Sequence, residues 1–151
     1  REVLEFNGKP AAEEYARILG VDRKVLSEKF MTNPLGLIVE DDFYVRSPQK
    51  IEGDSVIFYC QILEGMELSI LQSASIVADT KKAIEDTKAA LGNISGIVNF
   101  HCILRTLELE SINQQAEYGA IFKGIPTVGF STYGESYLGH INQTSTMVAF
   151  K

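Results

Sequence analysis

The sequence predicts an α+β fold, in which helices pack on a mostly antiparallel mixed sheet built from a β-meander and later strands. Two patterns predict this class. Residues 38–71 alternate between apolar and polar with a period of two, as half-buried strands do, whereas residues 75–91 carry apolar side chains at helical spacing. The chain has 151 residues without repeats or long linkers, so we expect one domain, 1–151, shaped as a two- or three-layer sandwich.

The first twenty residues predict a short strand, a turn and a helix. The strand is "EVLEF", and Asn7-Gly8 supplies the turn. Pro10 suits the first helical position because its missing N–H costs nothing there, and Gly20 suits the C-cap. A second short helix, "DRKVLSEKFMT", follows with Asp22 as its predicted N-cap.

The middle of the chain predicts antiparallel strands. "DFYVRS" and "DSVIFYCQIL" alternate, which places Val56, Phe58, Cys60 and Ile62 on one face. Glu64-Gly65 separates that run from "MELSIL", so we expect these two runs to pair as a hairpin.

The second half predicts helices alternating with strands. Residues 75–91 form the clearest helix, and "GIVNFHCIL" suits a strand covered on both faces. Residues 111–123 predict another helix, which Gly124 ends. Three strand-like segments close the chain: "TVGFS", "SYLGHIN" and "STMVAF".

Composition and charge exclude several classes of protein. The formal net charge is -6 and the basic residues are scattered, which argues against nucleic-acid binding because phosphates need a clustered positive surface. Only two cysteines occur, which favours a reducing, cytoplasmic compartment over a disulfide framework. No apolar stretch reaches transmembrane length, so we expect no membrane insertion. Because the sequence starts at Arg1, we expect it to be a piece of a longer protein.

Catalytic and metal-binding patterns are weak. No glycine-rich phosphate motif follows a strand. His101 and Cys102 are strand neighbours, and neighbours point to opposite faces, so no metal site is predicted. Cys102 with His140, oriented by Glu135, is the one thiolate pair to consider, but a structural cysteine is favoured. The chain is therefore predicted not to be an enzyme.

Two arginines and one polar segment point instead to a binding site. Arg105 follows the apolar run "FHCIL" and Arg46 follows "DFYV", so each is placed at a strand end where a guanidinium can hold a carboxylate. "GFSTYGES" leaves an apolar run with hydroxyls, a tyrosine and a carboxylate, which suits either a turn or the rim of a site. The candidate ligand-binding residues are Arg46, Cys102, Arg105, Thr132, Tyr133, Gly134 and Glu135.

Four blocks of the sequence resemble the C-terminal half of the FIST sensory domain: "GKPAAEEYARILG", "NPLGL…DDFYVRSP", "NFHCILR" and "PTVGFSTYGE". Their order and spacing match over nearly the whole chain. The chain departs from the family pattern at His101, where the family usually carries a small residue. The resemblance implies an intracellular sensory input region that binds small ligands, with amino acids among those suggested. The implied partners are an N-terminal FIST half and an output domain, such as a chemotaxis receptor module, a histidine kinase or a cyclic-dinucleotide enzyme.

The combined hypothesis is a non-enzymatic sensor of a small carboxylate, with no cofactor. An arginine would hold the carboxylate, and Glu135 or a tyrosine hydroxyl would hold an ammonium or hydroxyl group. One alternative is an interaction module that transmits a signal sensed elsewhere. A second is a haem-based sensor with His101 or His140 as the axial ligand.

Overall fold

Antiparallel strand pairs and helices occur in both halves of the chain, which confirms the predicted α+β class. The computed structural model describes residues 1–151. They fall into two compact units, Arg1–Ser73 and Ala74–Lys151, which are described in turn. That the whole chain constitutes one domain stays a prediction.

Two helices of the first unit lie where the sequence predicts them. Helix α1 spans Ala11–Leu19, and its C-cap residue Gly20 has the left-handed φ of 67° that glycine adopts without cost. A 3₁₀ helix spans Arg23–Lys29, and the Asp22 side chain caps it by accepting a hydrogen bond from the backbone N–H of Lys24 at 2.8 Å.

The strands of the first unit form one two-stranded and two three-stranded antiparallel sheets, in the orders β2-β3, β1-β7-β6 and β5-β4-β8. Their bounds are β1 Glu2–Val3, β2 Glu5–Phe6, β3 Lys9–Pro10, β4 Leu35–Val39, β5 Asp42–Arg46, β6 Pro48–Glu52, β7 Ser55–Phe58 and β8 Ser69–Ile70. The fully buried rings of Tyr15 and Phe58 belong to their common core.

The predicted hairpin about Glu64-Gly65 is wrong. A turn is present there, closed by the Met66 N–H bond to the Leu63 carbonyl, but its two arms enter different sheets. Strand β7 pairs with β1 and β6, whereas β8 pairs with β4. The chain leaves the first ladder after Phe58, so the alternation that continues to Ile62 has no strand partner to follow.

Glu14 is a buried carboxylate on α1 whose charge is matched by its neighbours. Arg17 donates to it from Nε at 2.7 Å and from Nη2 at 2.8 Å, and Asn7 donates at 3.3 Å. The bond from Arg17 lowers the pKa of Glu14 from 4.5 to about 2, which outweighs the opposing effect of burial.

This pKa predicts a pH dependence of stability. Between pH 4.5 and about 2 the unfolded carboxylate takes up a proton that the folded one refuses, so the contribution of Glu14 to stability is complete above that window and is lost as pH falls through it. Denaturant unfolding of the wild type and Glu14→Gln across the window measures the effect. The variant should lose this part of the pH slope, and an identical slope in both proteins would contradict the assignment.

The second unit begins with helix α2, Ile76–Leu91, which confirms the predicted helix. Ser75 caps it by accepting from the Ala78 N–H at 3.2 Å. Two further helices follow the next strand: α3 spans Ile103–Ser111 and α4 spans Gln115–Ala120.

The prediction of one helix over 111–123 is therefore wrong. The chain turns directly from strand to helix at Ile103, and a break at Asn113, whose φ is 57°, separates α3 from α4. Arg105 is consequently a helical residue and does not end a strand. The carboxylates Glu108 and Glu110 also lie within α3.

The strands of the second unit build a mixed three-stranded sheet, in the order β10-β9-β13, and a small hairpin. Their bounds are β9 Gly96–Cys102, β10 Thr127–Thr132, β11 Glu135–Tyr137, β12 Gly139–Ile141 and β13 Ser145–Phe150. The central strand β9 pairs in parallel with β10 and antiparallel with β13. The predicted strand "SYLGHIN" is two strands, because the chain reverses at Leu138, whose φ is 55°.

Candidate functional site

Alternation along β9 gives the sheet of the second unit two chemically different faces. Asn99 and His101 lie on one face, and Phe100 and Cys102 lie on the other. Each of the two faces carries a polar cluster where β9 ends, and the two clusters differ in whether their hydrogen bonds are complete.

The first cluster surrounds Glu135, whose side chain is 4% exposed. Its carboxylate oxygens accept hydrogen bonds from the hydroxyls of Thr132 and of Thr144, the latter at 3.0 Å, and the carboxylate lies near enough to the Cys102 thiol to raise its pKa. The structure therefore brings together three of the predicted residues, Cys102, Thr132 and Glu135. Both carboxylate oxygens already have donors from the chain itself.

The thiol in this cluster is poorly suited to attack a substrate. Burial raises the pKa of Cys102, and the thiolate is the nucleophilic form of cysteine. Hydrogen bonds from the backbone N–H groups of Leu104 and Gln143 lower this pKa, whereas the Glu135 carboxylate raises it further. A buried thiol beside a carboxylate fits the structural role that the sequence favours for Cys102.

Of the two predicted turn residues, Tyr133 is exposed to solvent and Gly134 is packed against another side chain. The Tyr133 side chain is 87% exposed. Gly134 lies against the imidazole of His140, so closely that an added Cβ would fall 2.4 Å from its Cε1 atom. This contact gives a packing reason for the glycine.

Arg105 lies on α3 and donates from Nη2 to the Thr80 hydroxyl of α2 at 3.0 Å. No carboxylate lies within ion-pair distance of its guanidinium, and its buried Nε–H has no hydrogen-bond partner. Arg105 thus keeps a positive charge that its own surroundings do not neutralise.

Arg46 ends β5 in the first unit, where it pairs in register with Leu35 of β4. The other six predicted residues all belong to the second unit. Participation of Arg46 in a shared site stays a prediction.

The second cluster lies in a cleft of about 280 Å³ on the other face of the sheet. Strand β10 and helix α4 provide most of its lining. The lining residues are Asn99, His101, Tyr118, Gly119, Phe122, Thr127, Val128, Gly129, Phe130 and Ser131.

A chain of hydrogen bonds orients the polar groups of this cleft. Ser145 donates to Asn99 Oδ1 at 2.7 Å, and Asn99 Nδ2 donates to the Tyr118 hydroxyl at 3.2 Å. That hydroxyl lies 3.1 Å from His101 Nδ1. Because the hydroxyl has one proton and already accepts from Asn99, donation to Nδ1 satisfies all of these groups.

His101 is therefore a neutral imidazole that carries its proton on Nε2. The side chain is 8% exposed, and its buried Nε2 atom has no partner in the chain. Burial, together with the nearby Arg105 charge, lowers the pKa of His101 from 6.5 to about 4. The cleft thus contains one buried N–H donor without an acceptor, a group that proteins rarely leave unpaired.

This pKa predicts a second pH effect, in a different window. Between pH 6.5 and about 4 the unfolded histidine binds a proton that the folded one refuses, so stability falls as pH falls. After allowance for solvent screening, the loss is on the order of 2 kcal/mol. His101→Gln should remove it in denaturant titrations at several pH values. An unchanged loss in the variant would assign the effect to other groups.

Sequence reasoning did not select His101, Asn99 or Tyr118 as site residues. A signal was present, since two polar residues two positions apart in an otherwise apolar strand must share a face and require partners there. Tyr118 had no such signal, because its contact with β9 depends on the unpredicted start of α4.

No helix of the chain is long and apolar enough to cross a membrane. The family model described as the FIST C domain matches residues 11–137. No curated protein and no solved structure gives a significant match. Since the family match covers most of the chain, including Glu135 and every residue that lines the His101 cleft, this chain belongs to the FIST C domain family of signal-transduction sensory domains.

Proposed function

We propose that the chain is a non-catalytic input domain that binds a small carboxylate, such as an amino acid, in the cleft of the second unit. The observation that carries this proposal is that His101 lines the cleft and that its buried Nε2 atom has no hydrogen-bond partner in the chain. A ligand oxygen in the cleft supplies the missing acceptor and removes the cost of leaving that donor unpaired.

The electrostatics of the site favour an anionic oxygen. Arg105 has no carboxylate partner, and its charge acts on the His101 imidazole. A carboxylate beside His101 gains from that positive field, whereas an ammonium group there loses. The Glu135 cluster supports the site by tying β10 to the β11–β13 segment through Thr132 and Thr144.

Signalling requires that the ligand bind one conformation better than another. A ligand in this cleft lies between the sheet and α4, and Tyr118 joins the two through its hydroxyl. Helix α4 buries none of its residues. It is therefore the element whose position an occupied cleft biases most easily, and we assign it the coupling to the output.

Isothermal titration calorimetry with amino acids and small carboxylates, beside amines that lack the carboxylate, tests the proposal. We expect at least tenfold weaker binding in His101→Leu, which has no donor, and near wild-type binding in His101→Gln, whose amide N–H replaces Nε2–H. Val148→Thr, at an exposed position of β13 on the opposite face, serves as the control. Equal binding by all variants would overturn the site, and equal binding of the amines would overturn the carboxylate.

Arg105→Ala, titrated alongside, examines the sequence prediction separately. A moderate loss of affinity fits a guanidinium that attracts the carboxylate electrostatically without a direct contact. A complete loss would mean that Arg105 grips the carboxylate directly, as the sequence predicts. A Soret band in the purified chain would instead favour the haem-based alternative.

One observation favours an interaction module as a second candidate. The sheet face opposite the cleft exposes four apolar side chains in β10 and β13, the two strands that flank β9, and such a patch commonly marks a contact surface. They are Val128, Phe130, Val148 and Phe150. Absence of any small-molecule binding, together with loss of binding to the rest of the sensory protein in Phe150→Ser, would favour this function over a sensor.

A further inference from the structure

Strand β10 is an edge strand whose outward backbone groups have no partner. The Ile97 N–H bonds to the Pro126 carbonyl, and in a parallel ladder alternate residues face the neighbouring strand. Val128 and Phe130 therefore direct their backbone groups to β9. The N–H and C=O groups of Thr127, Gly129 and Ser131 point away from the sheet, and no backbone or side-chain hydrogen bond is formed to them.

This edge lacks the features that usually prevent strand addition. Charged residues, prolines and bulges commonly protect an exposed edge. Between Thr127 and Thr132 there is no charged residue and no proline, and the pairing with β9 runs in unbroken register. The side chains of Val128 and Phe130 are 68% and 65% exposed. The strand thus offers free backbone groups and apolar side chains to an added segment.

The His101 cleft follows the same edge. Five consecutive residues of β10, 127–131, line it, and the opposite wall comes from Tyr118, Gly119 and Phe122. His101 pairs in register with Ser131, so its unpartnered Nε2–H lies towards one end of the row of outward groups. A groove between an edge strand and a helix suits a bound segment that lies extended along the strand.

The length of the row of outward backbone groups favours a peptide over a free amino acid as the ligand. The outward groups from Thr127 to Ser131 extend over four residue steps, or about 13 Å at about 3.3 Å per residue. A free amino acid reaches the donor of His101 and at most one neighbouring backbone group. An extended peptide of three or four residues reaches the whole row.

We infer that the cleft binds an oligopeptide with uncharged side chains, which adds to β10 as a further strand and places one carbonyl or carboxylate oxygen on His101 Nε2. This inference rests on the proposed function, because it uses the same cleft and the same donor, and it narrows the ligand class from small carboxylates to short peptides. The backbone groups of the peptide satisfy those of the edge, and its side chains lie beside Val128 and Phe130.

Calorimetric titration of the whole chain with alanine, dialanine, trialanine and tetra-alanine tests the inference. We expect affinity to rise at least tenfold from alanine to tetra-alanine. Tetra-alanine with alternate amides N-methylated, prepared in both registers, is the matched control. At least one register should bind tenfold more weakly, since a methylated amide cannot donate to the edge.

Amide hydrogen exchange gives a readout that is specific to strand addition. With tetra-alanine bound, exchange should slow at least tenfold at Thr127, Gly129 and Ser131. The amides of Val128 and Phe130, which already face β9, should change little. Ser131→Pro removes an outward donor without removing a bond to β9 and should weaken binding. Because proline also restricts the backbone of the strand itself, the methylated peptides test the same point on the wild type.

The outcomes separate the inference from the proposed function. The peptide inference would be overturned if alanine bound as tightly as tetra-alanine, or if exchange slowed equally at the outward amides and at those that face β9. Either result would leave the sensor proposal standing. No binding by peptides, amino acids or carboxylates would overturn both. Protection of the three outward amides that rises with protein concentration alone would show that a second copy occupies the edge, which also overturns the inference.

Discussion

Replacing Gly129 by alanine is expected to destabilise the second unit by about 3 kcal/mol or more. The added Cβ would lie 1.8 Å from the carbonyl oxygen of Asn99 and 2.8 Å from its carbonyl carbon. These are backbone atoms of the neighbouring strand, so no side-chain rotation relieves the contact. The parallel pair of β9 and β10 must separate locally, which also disrupts the His101 cleft.

Equilibrium unfolding in urea measures this effect, and Gly119→Ala is the matched control. A Cβ at Gly119 meets nothing within 4 Å, and alanine is favoured over glycine in a helix by roughly 0.5–1 kcal/mol. The control should therefore unfold at the same or a higher urea concentration. If Gly129→Ala unfolded together with the wild type, the close approach of β10 to Asn99 would be refuted.

The second large effect is expected at Glu135. Replacement by alanine deletes the acceptor that serves the hydroxyls of Thr132 and Thr144. Leaving each of these half-buried donors without an acceptor costs about 1 kcal/mol or more, so the total loss should be about 2 kcal/mol or more. The β10 and β13 ends are expected to loosen, with faster amide exchange at Thr132 and Ser145.

The variant Thr144→Val measures how much stability one donor contributes, for comparison with the loss caused by removing the Glu135 carboxylate. It removes one hydroxyl and leaves Glu135 with its other partners, so the expected loss is about 1 kcal/mol. The order of the two losses is the informative result. Equal losses in Glu135→Ala and Thr144→Val would mean that the carboxylate does not organise the cluster.

The sequence predicts those elements of the fold whose signals are local. The apolar face and the capping residues of α2 lie within or beside the helix itself. The same is true of Gly20, which ends α1, and of Asp22, which caps the 3₁₀ helix. Strand partners are not local. The β7 and β8 runs were paired with each other because a turn joins them, whereas long-range packing assigns β8 to β4.

The boundary between β9 and α3 was missed for a different reason. "GIVNFHCIL" is apolar apart from Asn99 and His101, and leucine and isoleucine suit a buried strand as well as a helix, so the hydrophobicity of the sequence does not change where the strand gives way to the helix. Because of this error, Arg105 was predicted at the end of a strand although it lies in α3. The predicted helix 111–123 also lacked the break between α3 and α4, so the contact between Tyr118 and His101 was not predicted.

Part of the candidate site was within reach of the sequence. Cys102, Thr132 and Glu135 were selected, and they do contact one another. His101 was noted as a departure from the family pattern and as a haem ligand in an alternative hypothesis, but it was not selected for the small-carboxylate site. Its importance depends on a missing hydrogen bond, and an absent partner is visible only when the surroundings of a side chain are known in three dimensions.

The position of β9 in the middle of its sheet has a consequence for how the chain folds. Both partners of β9 follow it in sequence, and β10 joins it only after α3 and α4 have been made. During synthesis β9 therefore leaves the ribosome as a largely apolar strand with two open sides; β10 can close one of them, and the other stays open until β13 is complete. Contacts between distant segments form slowly, because the entropy of closing a long loop must be overcome first. We therefore expect β9 to be a segment of the second unit that is exposed to aggregation before folding is complete.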